Sequence, residues 1–315
     1  SMAMLLAGCA ATAGRGEGVP AALSEPLAVY GSTATVEIAP VLLAVRDLYP
    51  NGPGVHNGGI INLVAADNTA DVATNAETQA LRQSVKRPDI RIIMTVVEGN
   101  YRLVARRSAG IDSLADLKGK RIATSVATSA DYFLFRMLEK GGLKPSDVTI
   151  VNIGRTMEMI PAIRSREVDA VAIWEPASEN ALRALGDDAV EFSGRGIYRE
   201  LFNLNTTAGA LADPEKRRSI VALMRAIIAA NQRMKHNPAE GHAVVARSGG
   251  YTIEEVAQSW PHHSFTATFA EDMLDVLAEE ELWLAGQEKR QPRSRAELGR
   301  LIDRSVLEEA LAQPR

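Results

Sequence analysis

The sequence has little cysteine, little excess of charge of either sign and no long apolar run. Its 315 residues include a single cysteine, so no disulfide can form within the chain. The 35 Lys and Arg residues against 39 Asp and Glu residues leave a net charge of -4 without a basic stripe, which argues against a nucleic-acid partner. No run approaches the roughly 20 consecutive apolar residues that cross a bilayer, which excludes a membrane-spanning helix in this sequence. The hydrophobic content of 46% in a chain of this length predicts a globular protein of about two domains.

The single cysteine, Cys9, lies in the segment LLAGCAA near the start of the sequence. Its position after Leu6, Ala7 and Gly8 resembles the lipobox of bacterial lipoproteins, in which the cysteine carries the lipid. The resemblance implies a lipid anchor at Cys9 that holds the protein outside the cytoplasm. Residues 1–24 are therefore predicted to be a truncated lipoprotein leader and a flexible linker; an ordinary alanine-rich leader with a chance cysteine is the alternative.

Strands and helices alternate over the first hundred residues. A helix is expected at residues 33–49, where apolar residues recur at helical spacing, and a second one follows residue 75. The predicted strands are residues 27–32, 59–65, 70–75, 90–97 and 101–106.

The middle of the sequence is the most regular part. Thr128 and Asp131 have the spacing of a helix N-cap and its third residue, and Gly141 with Gly142 supplies the stop. This helix and a second one around Met159 separate predicted strands at residues 121–124, 147–153 and 168–174. Such a βαβαβ unit requires parallel strands with right-handed crossovers. Beyond a last strand at residues 204–212, helices are predicted at residues 214–235, 252–260, about 270–285 and 294–312.

This order predicts an α/β protein of two lobes, each with a mostly parallel sheet flanked by helices. The chain would cross between the lobes near residues 101–106 and 202–207, which assigns residues 25–103 with 206–315 to the first lobe and 104–205 to the second. Ligands of open parallel sheets bind beyond the carboxyl ends of the strands. A cleft between the lobes is therefore the expected site.

Three motifs resemble the extracytoplasmic substrate-binding proteins of ABC importers, in the group that binds nitrate, sulfonates, taurine and pyrimidine precursors of thiamine. They are LKGK at residues 117–120, GLKPSDV at 142–148 and VDAVAIWEP at 168–176. The resemblance covers residues 26 to about 290 and implies a Venus-flytrap fold, an ABC permease as partner and a periplasmic or outer-surface location for a monomer. The family usually has aspartate where this chain has Glu175, and often histidine where it has Ile38, so the family's ligands do not transfer.

Two opposite ligand charges follow from the residues expected at the cleft. Ser125, Thr128 and Ser129 at one helix start, with Thr33 and Thr35 in the other lobe, would bind an anion, aided by Arg155. The alternatives to these binding roles are that Thr128 only caps its helix and that Arg155 is a solvated charge on a loop. Acidic residues at strand ends, if they point inward, would instead select a cation or a neutral donor-rich molecule. The indole of Trp174 is expected to stack on the ligand. Glu37 is one of the acidic residues, but Glu37 and Glu77 also lie near helix starts, where a negative charge is favoured by the helix dipole. The remaining predicted ligand residues are Asn75, Glu77, Glu98, Asn100 and Glu175.

Three functions remain open at this stage. The protein binds and releases a small molecule for transport, acts as an enzyme on the same fold, or presents its ligand to a receptor. Enzymes that share the architecture use cysteine chemistry, which argues against the second, because Cys9 lies in the leader. No cofactor is expected, and no metal, because the adjacent His262 and His263 are unlike a ligand pair.

Overall fold

The fold contains two β-sheets, each flanked by helices. The computed structural model describes residues 26–49, 54–67 and 70–312; the predicted leader and Cys9 lie outside these ranges. Within them, no helix combines the length and the apolar character needed to cross a membrane. Buried apolar side chains from both sheets and their helices form one continuous core.

The first sheet has six strands in the order β11-β4-β10-β3-β1-β2. Their bounds are β1 (Val29–Gly31), β2 (Val55–Asn57), β3 (Val72–Ala76), β4 (Ile90–Gly99), β10 (Glu200–Thr207) and β11 (His263–Ser264).

The second sheet has five strands in the order β7-β6-β8-β5-β9. Their bounds are β5 (Arg102–Arg106), β6 (Arg121–Thr124), β7 (Thr149–Asn152), β8 (Ala170–Ile173) and β9 (Ala189–Ser193).

Both sheets are mixed, but most strands of each run in one direction, which agrees with the predicted mostly parallel sheets. The strands β2, β1 and β3 pair in parallel, as do β7, β6 and β8, which confirms the predicted βαβαβ unit. The strands that run against the others are β10 and β11 in the first sheet and β5 in the second. Two of them, β5 and β10, are the strands that the chain enters at the two crossovers.

The sheet changes at two places, between Gly99 and Arg102 and between Ser193 and Glu200. The second crossing thus comes before β10, which pairs with β3 and β4 of the first sheet. The chain thus passes from one sheet to the other a few residues before the predicted lobe boundaries at 103/104 and 205/206. Below, the first lobe means the first sheet with its helices, and the second lobe means the second sheet with its helices.

Helices cover both sheets, and the sequence explains the ends of the longest ones. In α4, the Thr128 side chain accepts a hydrogen bond from Ala130 N, which confirms the predicted N-cap. Asp213 caps α8, with Pro214 in its first turn. The helices are α1 (Ala39–Leu43, continued by a π-helical turn at Ala44–Leu48), α2 (Ile61–Val64), α3 (Glu77–Ser84), α4 (Ser129–Lys140), α5 (Met159–Arg164), α6 (Ala177–Leu185), α7 (Ala208–Ala212), α8 (Pro214–His236), α9 (Pro238–Gly249), α10 (Ile253–Ser259), α11 (Met273–Gln287), α12 (Arg295–Gly299) and α13 (Ser305–Leu311).

The predicted strand at residues 204–212 is right only as far as Thr207, because Ala208–Ala212 form the helix α7. The predicted strand at residues 59–65 is wrong. Residues 59–65 contain the short helix α2, and the strand of this region is β2, which precedes it. Short apolar runs do not distinguish a strand from one turn of a buried helix. Here Asn62 bonds back to the amide of Gly59, which fixes a turn instead of an extended chain.

Candidate functional site

A cavity of about 320 Å³ lies between the two sheets, and both lobes contribute to its wall. Glu200 and Phe202 belong to the start of β10, and Tyr101 lies in the first crossover. The other first-lobe residues end or follow β1, β2 and β3, and the second-lobe residues follow β6 and β8. This agrees with the expectation that the carboxyl ends of parallel strands face the site. The wall consists of Ser32, Thr35, Glu37, Asn57, Gly58, Asn75, Ala76, Gln79, Tyr101, Thr128, Ser129, Trp174, Glu200 and Phe202.

Trp174 lies on this wall, directly after the last residue of β8. Its ring centroid is 6.0 Å from that of Tyr101, which in turn packs against Phe133 and Tyr198 at 5.6 and 5.3 Å. The indole is only partly buried, so one part is supported by aromatic packing while another part is open to the cavity. Contact with a ligand stays a prediction.

Glu175 does not face the cleft, which corrects the sequence-based expectation. Neighbouring residues at a strand end point in opposite directions, so the carboxylate beside Trp174 turns into the second lobe. There Glu175 Oε1 lies 2.6 Å from Arg102 Nη2, and Arg102 also pairs with Glu179 and Glu191 at 2.8 and 2.9 Å. Burial raises the pKa of Glu175, and the charge of Arg102 opposes that shift. Glu175 is therefore part of a buried ion-pair network.

Four more of the predicted residues lie on the wall. Thr35 and Asn75 belong to the first lobe, and Thr128 and Ser129 to the second. Asn75 Oδ1 accepts a hydrogen bond from the backbone N of Ile60 at 2.6 Å, which fixes the orientation of the amide. The Ser129 hydroxyl lies 2.8 Å from the hydroxyl of Tyr101. Their role in binding remains a prediction.

Three predicted residues lie behind the wall and support it. Thr33 donates from its backbone N and its hydroxyl to Asn57 Oδ1, both at 3.2 Å. The Ser125 carbonyl accepts the Thr128 hydroxyl at 2.6 Å. Glu77 is fully buried and accepts from Tyr198 Oη at 2.6 Å and from Leu201 N at 2.8 Å.

The other three predicted residues lie away from the cavity. The Arg155 side chain is 88% exposed and lies 3.7 Å from Glu158, so the structure does not bring it to the site. Glu98 pairs with Arg199 at 3.4 Å, and Asn100 N donates to His262 O at 2.9 Å. Cys9, the predicted lipid anchor, lies outside the described residues. In the described part of the chain, no group of three or more His, Cys, Asp or Glu residues is arranged to hold a metal ion.

The sequence analysis missed two carboxyl groups on the wall or gave them little weight. Glu37 and Glu200 are each 2% exposed. Glu37 Oε1 lies 3.5 Å from His263 Nε2, and Glu200 Oε2 accepts a hydrogen bond from the Tyr101 hydroxyl. The signal that could have indicated Glu200 is a carboxylate beside apolar residues in the segment ELFNLN at residues 200–205, which overlaps the predicted strand, because a charge in a buried strand needs a partner or a ligand.

Each of these carboxyl groups keeps one oxygen without a partner. Glu37 Oε2 and Glu200 Oε1 are buried and receive no hydrogen bond from the described residues. An acceptor left in this state costs roughly 1 to 3 kcal/mol. Burial and then the negative charges of Glu37 and Glu77 raise the pKa of Glu200 well above its ordinary value. Burial opposes a charge on His263, but the contact with Glu37 outweighs it and raises the pKa of that imidazole.

The lobes touch each other around the cavity. Gln79 on the wall of the first lobe donates from Nε2 to the carbonyl of Ala127 in the second lobe, at 3.1 Å. Farther out, Arg136 of α4 pairs with Glu279 of α11 at 2.7 Å, and Arg183 of α6 bonds to Gln258 of α10 at 2.9 Å. These contacts hold the two lobes against each other at the edges of the site.

Two α/β lobes, two crossovers and a cavity between strand ends define the periplasmic binding protein fold, and solved structures agree. The alkanesulfonate-binding protein SsuA from Xanthomonas axonopodis pv. citri, solved with MOPS, superposes with a TM-score of 0.70 at 18% identity, covering 89% of this chain and 99% of that one. The desulfurization enzyme DSZB gives 0.61 at 14% identity, with 91% and 99% covered. The same fold therefore occurs in a binding protein and in an enzyme.

The sequence matches the family described as NMT1/THI5 like over residues 53–241. This is more than half of the chain, which therefore belongs to that family. A putative binding protein of Brucella abortus is 39% identical over 67 residues, 21% of each chain. A putative thiamine biosynthesis protein of Haemophilus influenzae is 31% identical over 109 residues, 34% of each chain. The matched segments thus span between about a fifth and a third of these relatives.

Proposed function

We propose that the protein is the extracytoplasmic solute-binding component of an ABC importer, which captures a small organic or inorganic solute between its lobes and delivers it to the permease. The main support is the cavity of about 320 Å³ between the lobes, with strand ends of both lobes on its wall. A volume of this size lies at the lower end of those that hold small ligands. A solute that contacts both halves favours the arrangement in which they are closed.

The residues of the wall suit a small ligand with one flat or apolar part and several polar groups. Tyr101, Trp174 and Phe202 supply aromatic surface. Asn57, Asn75, Gln79, Thr128 and Ser129 supply amide and hydroxyl groups from both lobes. The class indicated by the resemblance comprises sulfonates, nitrate and pyrimidines, and the names of the similar proteins refer to sulfonate binding and to thiamine biosynthesis.

The proposed activity is binding without chemistry. Among the described residues, the cavity wall contains no cysteine or histidine, and its Ser129 hydroxyl lies beside a tyrosine hydroxyl instead of a general base. Catalysis by an activated serine requires such a base within hydrogen-bond distance. These observations favour binding and release over an enzyme of the DSZB kind.

The location and partners proposed for the protein follow from the same function. It acts as a monomer in the periplasm or on the outer face of the cytoplasmic membrane, and a lipid on Cys9 provides its only attachment. The partners are the solute and the permease subunits. Metabolic labelling with a fatty-acid analogue tests the anchor: the wild type is expected to incorporate the label and Cys9→Ser to lose it.

A thermal-shift screen tests the binding function. Sulfonates, carboxylates, amines, pyrimidines and nitrate are added one at a time, because a ligand bound only by the folded state raises its stability by RT ln(1 + [L]/Kd). At 100-fold excess over Kd this amounts to about 2.7 kcal/mol. We expect at least one class to raise the melting temperature and to be recovered unchanged. Consumption of the added compound would refute the proposal in favour of an enzyme, and the absence of any ligand would refute it outright.

A further inference from the structure

The charge of the cavity wall points to a particular class of ligand. Among the described residues that form this wall, two are acidic, Glu37 and Glu200, and none is a lysine or an arginine. In the described part of the chain, the one ion pair formed by these two carboxyl groups joins Glu37 Oε1 to His263 Nε2, at 3.5 Å. His263 can therefore balance Glu37, while Glu200 has no cationic partner.

The unpaired oxygens of this pair require a hydrogen-bond donor. Glu37 Oε2 and Glu200 Oε1 are both buried on the same wall, and the other described residues donate no hydrogen bond to them; the donor available within the pair is a proton on Glu200, hydrogen-bonded to Glu37. In the empty protein the two groups can share a proton on Glu200, whose pKa is raised by burial and by the charge of Glu37. A ligand that brings N–H groups to these oxygens replaces that proton.

Several amides at the helix start that was expected to bind an anion are already in use. Ala127 N donates to the Asp131 carboxylate at 3.0 Å and Ala130 N to the Thr128 hydroxyl at 3.2 Å. Val126 N donates to Asn152 at 3.1 Å. A sulfonate in the cavity would thus meet a helix start that carries its own carboxylate and, on the other side, the carboxyl pair.

We propose that the ligand is a small organic cation with at least two N–H donors, of the amine, amidine or guanidine type, and that Glu37 and Glu200 bind it. The inference rests on the function proposed above and narrows its solute. The cation donates to Glu37 Oε2 and Glu200 Oε1, while the aromatic rings of Tyr101 and Trp174 pack on its flat or apolar part.

Binding of the cation leaves the net charge of the site unchanged, because a proton is released. The O–H bond of Glu200 breaks, its proton goes to the solvent, and an N–H···O contact from the cation takes its place, so that one positive charge enters as another leaves. The affinity therefore rises with pH until Glu200 is ionised in the empty protein. The titratable groups that interact with the pair from the surrounding elements are Glu77, Tyr101, Tyr251 and His263. Tyr198 and Glu280 in turn interact with Glu77.

Matched ligands on the wild-type protein provide the test. Benzamidine, benzylamine and phenylguanidine are compared by calorimetry with benzamide, benzoate and benzenesulfonate, which have the same ring but no positive charge. A second panel contains aliphatic amines and guanidines together with neutral aminopyrimidines. Each titration is repeated in two buffers of different ionisation heat, which gives the number of protons released.

We expect a cation to bind with the release of a proton at any pH at which Glu200 is still protonated in the empty protein, and Glu37→Gln and Glu200→Gln each to weaken binding at least tenfold. The release should disappear in Glu200→Gln. Glu139→Gln, on the exposed side of α4, serves as the control for charge and should bind as the wild type does. Circular dichroism verifies that the near-isosteric variants are folded.

The outcomes separate this inference from the function on which it rests. Binding of a sulfonate, a carboxylate or a neutral pyrimidine, with no cation bound, would overturn the inference and leave the solute-binding function intact. Binding of a cation that is unaffected by both glutamine variants would overturn the assigned contacts. If no compound of either panel binds, the inference fails, and the wider thermal-shift screen decides whether the binding function fails with it.

Discussion

Truncation of the tryptophan on the cavity wall tests the site most directly. Trp174→Ala removes an indole that is supported on one side by Tyr101, at 6.0 Å between ring centroids, and open to the cavity on another. Loss of one aromatic anchor costs about 1 to 3 kcal/mol of binding free energy, which weakens Kd about 5- to 150-fold. Isothermal titration with a ligand found by the thermal-shift screen measures the change.

The same substitution should have little effect on the empty protein. The lost contact with Tyr101 is worth about 0.5 to 1.5 kcal/mol beyond its buried area, so only a small fall in melting temperature is expected. Trp260→Ala is the matched control, because Trp260 is also partly buried but stacks on Phe265, at 4.3 Å, away from the cavity wall. It should lower stability without changing Kd. Equal affinity of Trp174→Ala and the wild type would refute the stacking role.

Four further predictions follow from the contacts of the site. Gln79→Ala removes the hydrogen bond from the first lobe to Ala127 across the cleft. Calorimetry should show a loss of about 0.5 to 1.5 kcal/mol in the free energy of ligand binding. An unchanged affinity would mean that this hydrogen bond does not stabilise the closed, ligand-bound form. Arg102→Ala leaves buried carboxylates unpaired, and urea unfolding should show a loss of about 3 to 5 kcal/mol; a change below 1 kcal/mol would contradict the network's importance. The raised pKa of Glu200 means that the folded state holds this proton more tightly, so its contribution to stability is lost as the pH rises from the unfolded-state pKa through the raised one. Glu200→Gln should therefore gain stability relative to the wild type as the pH rises above the unfolded-state pKa, measured by urea unfolding at a series of pH values, and a constant difference would refute the shift. Arg155→Ala should bind ligand as the wild type does, because the side chain is 88% exposed outside the cavity, and weaker binding in a titration would restore Arg155 to the site.

Features that depend on residues close together in the sequence could be predicted from the sequence alone. The N-cap at Thr128 and the glycine stop after α4 came from residue types at fixed spacing, and the structure confirms both. The parallel unit of β6, β7 and β8 followed from strands that alternate with helices. The short helix α2 was misread as a strand because a run of four or five apolar residues fits either structure.

The site was only partly predictable, because its polar contacts join distant parts of the chain. The end of β8 marked Trp174 as a wall residue, but Glu175 beside it turns to Arg102, which lies 73 residues away. Tyr101 and Glu200, separated by 99 residues, meet only because the two crossovers bring β4, β5 and β10 together. A sequence pattern gives the element to which a side chain belongs, whereas its partner depends on how the elements pack.

The sequence by itself determined the α/β alternation, the helix ends, the parallel unit of the second lobe and the membership of a family of two-lobed proteins, since these depend on short-range spacing and on motifs. Only the tertiary structure decided the orientation of each side chain at the strand ends. It turned Arg155 to the solvent and Glu175 into the second lobe, and it left Glu37 and Glu200 as the carboxyl groups that face the cavity. The physical reason is that desolvation and pairing of charges arise from packing between segments that are remote in the chain.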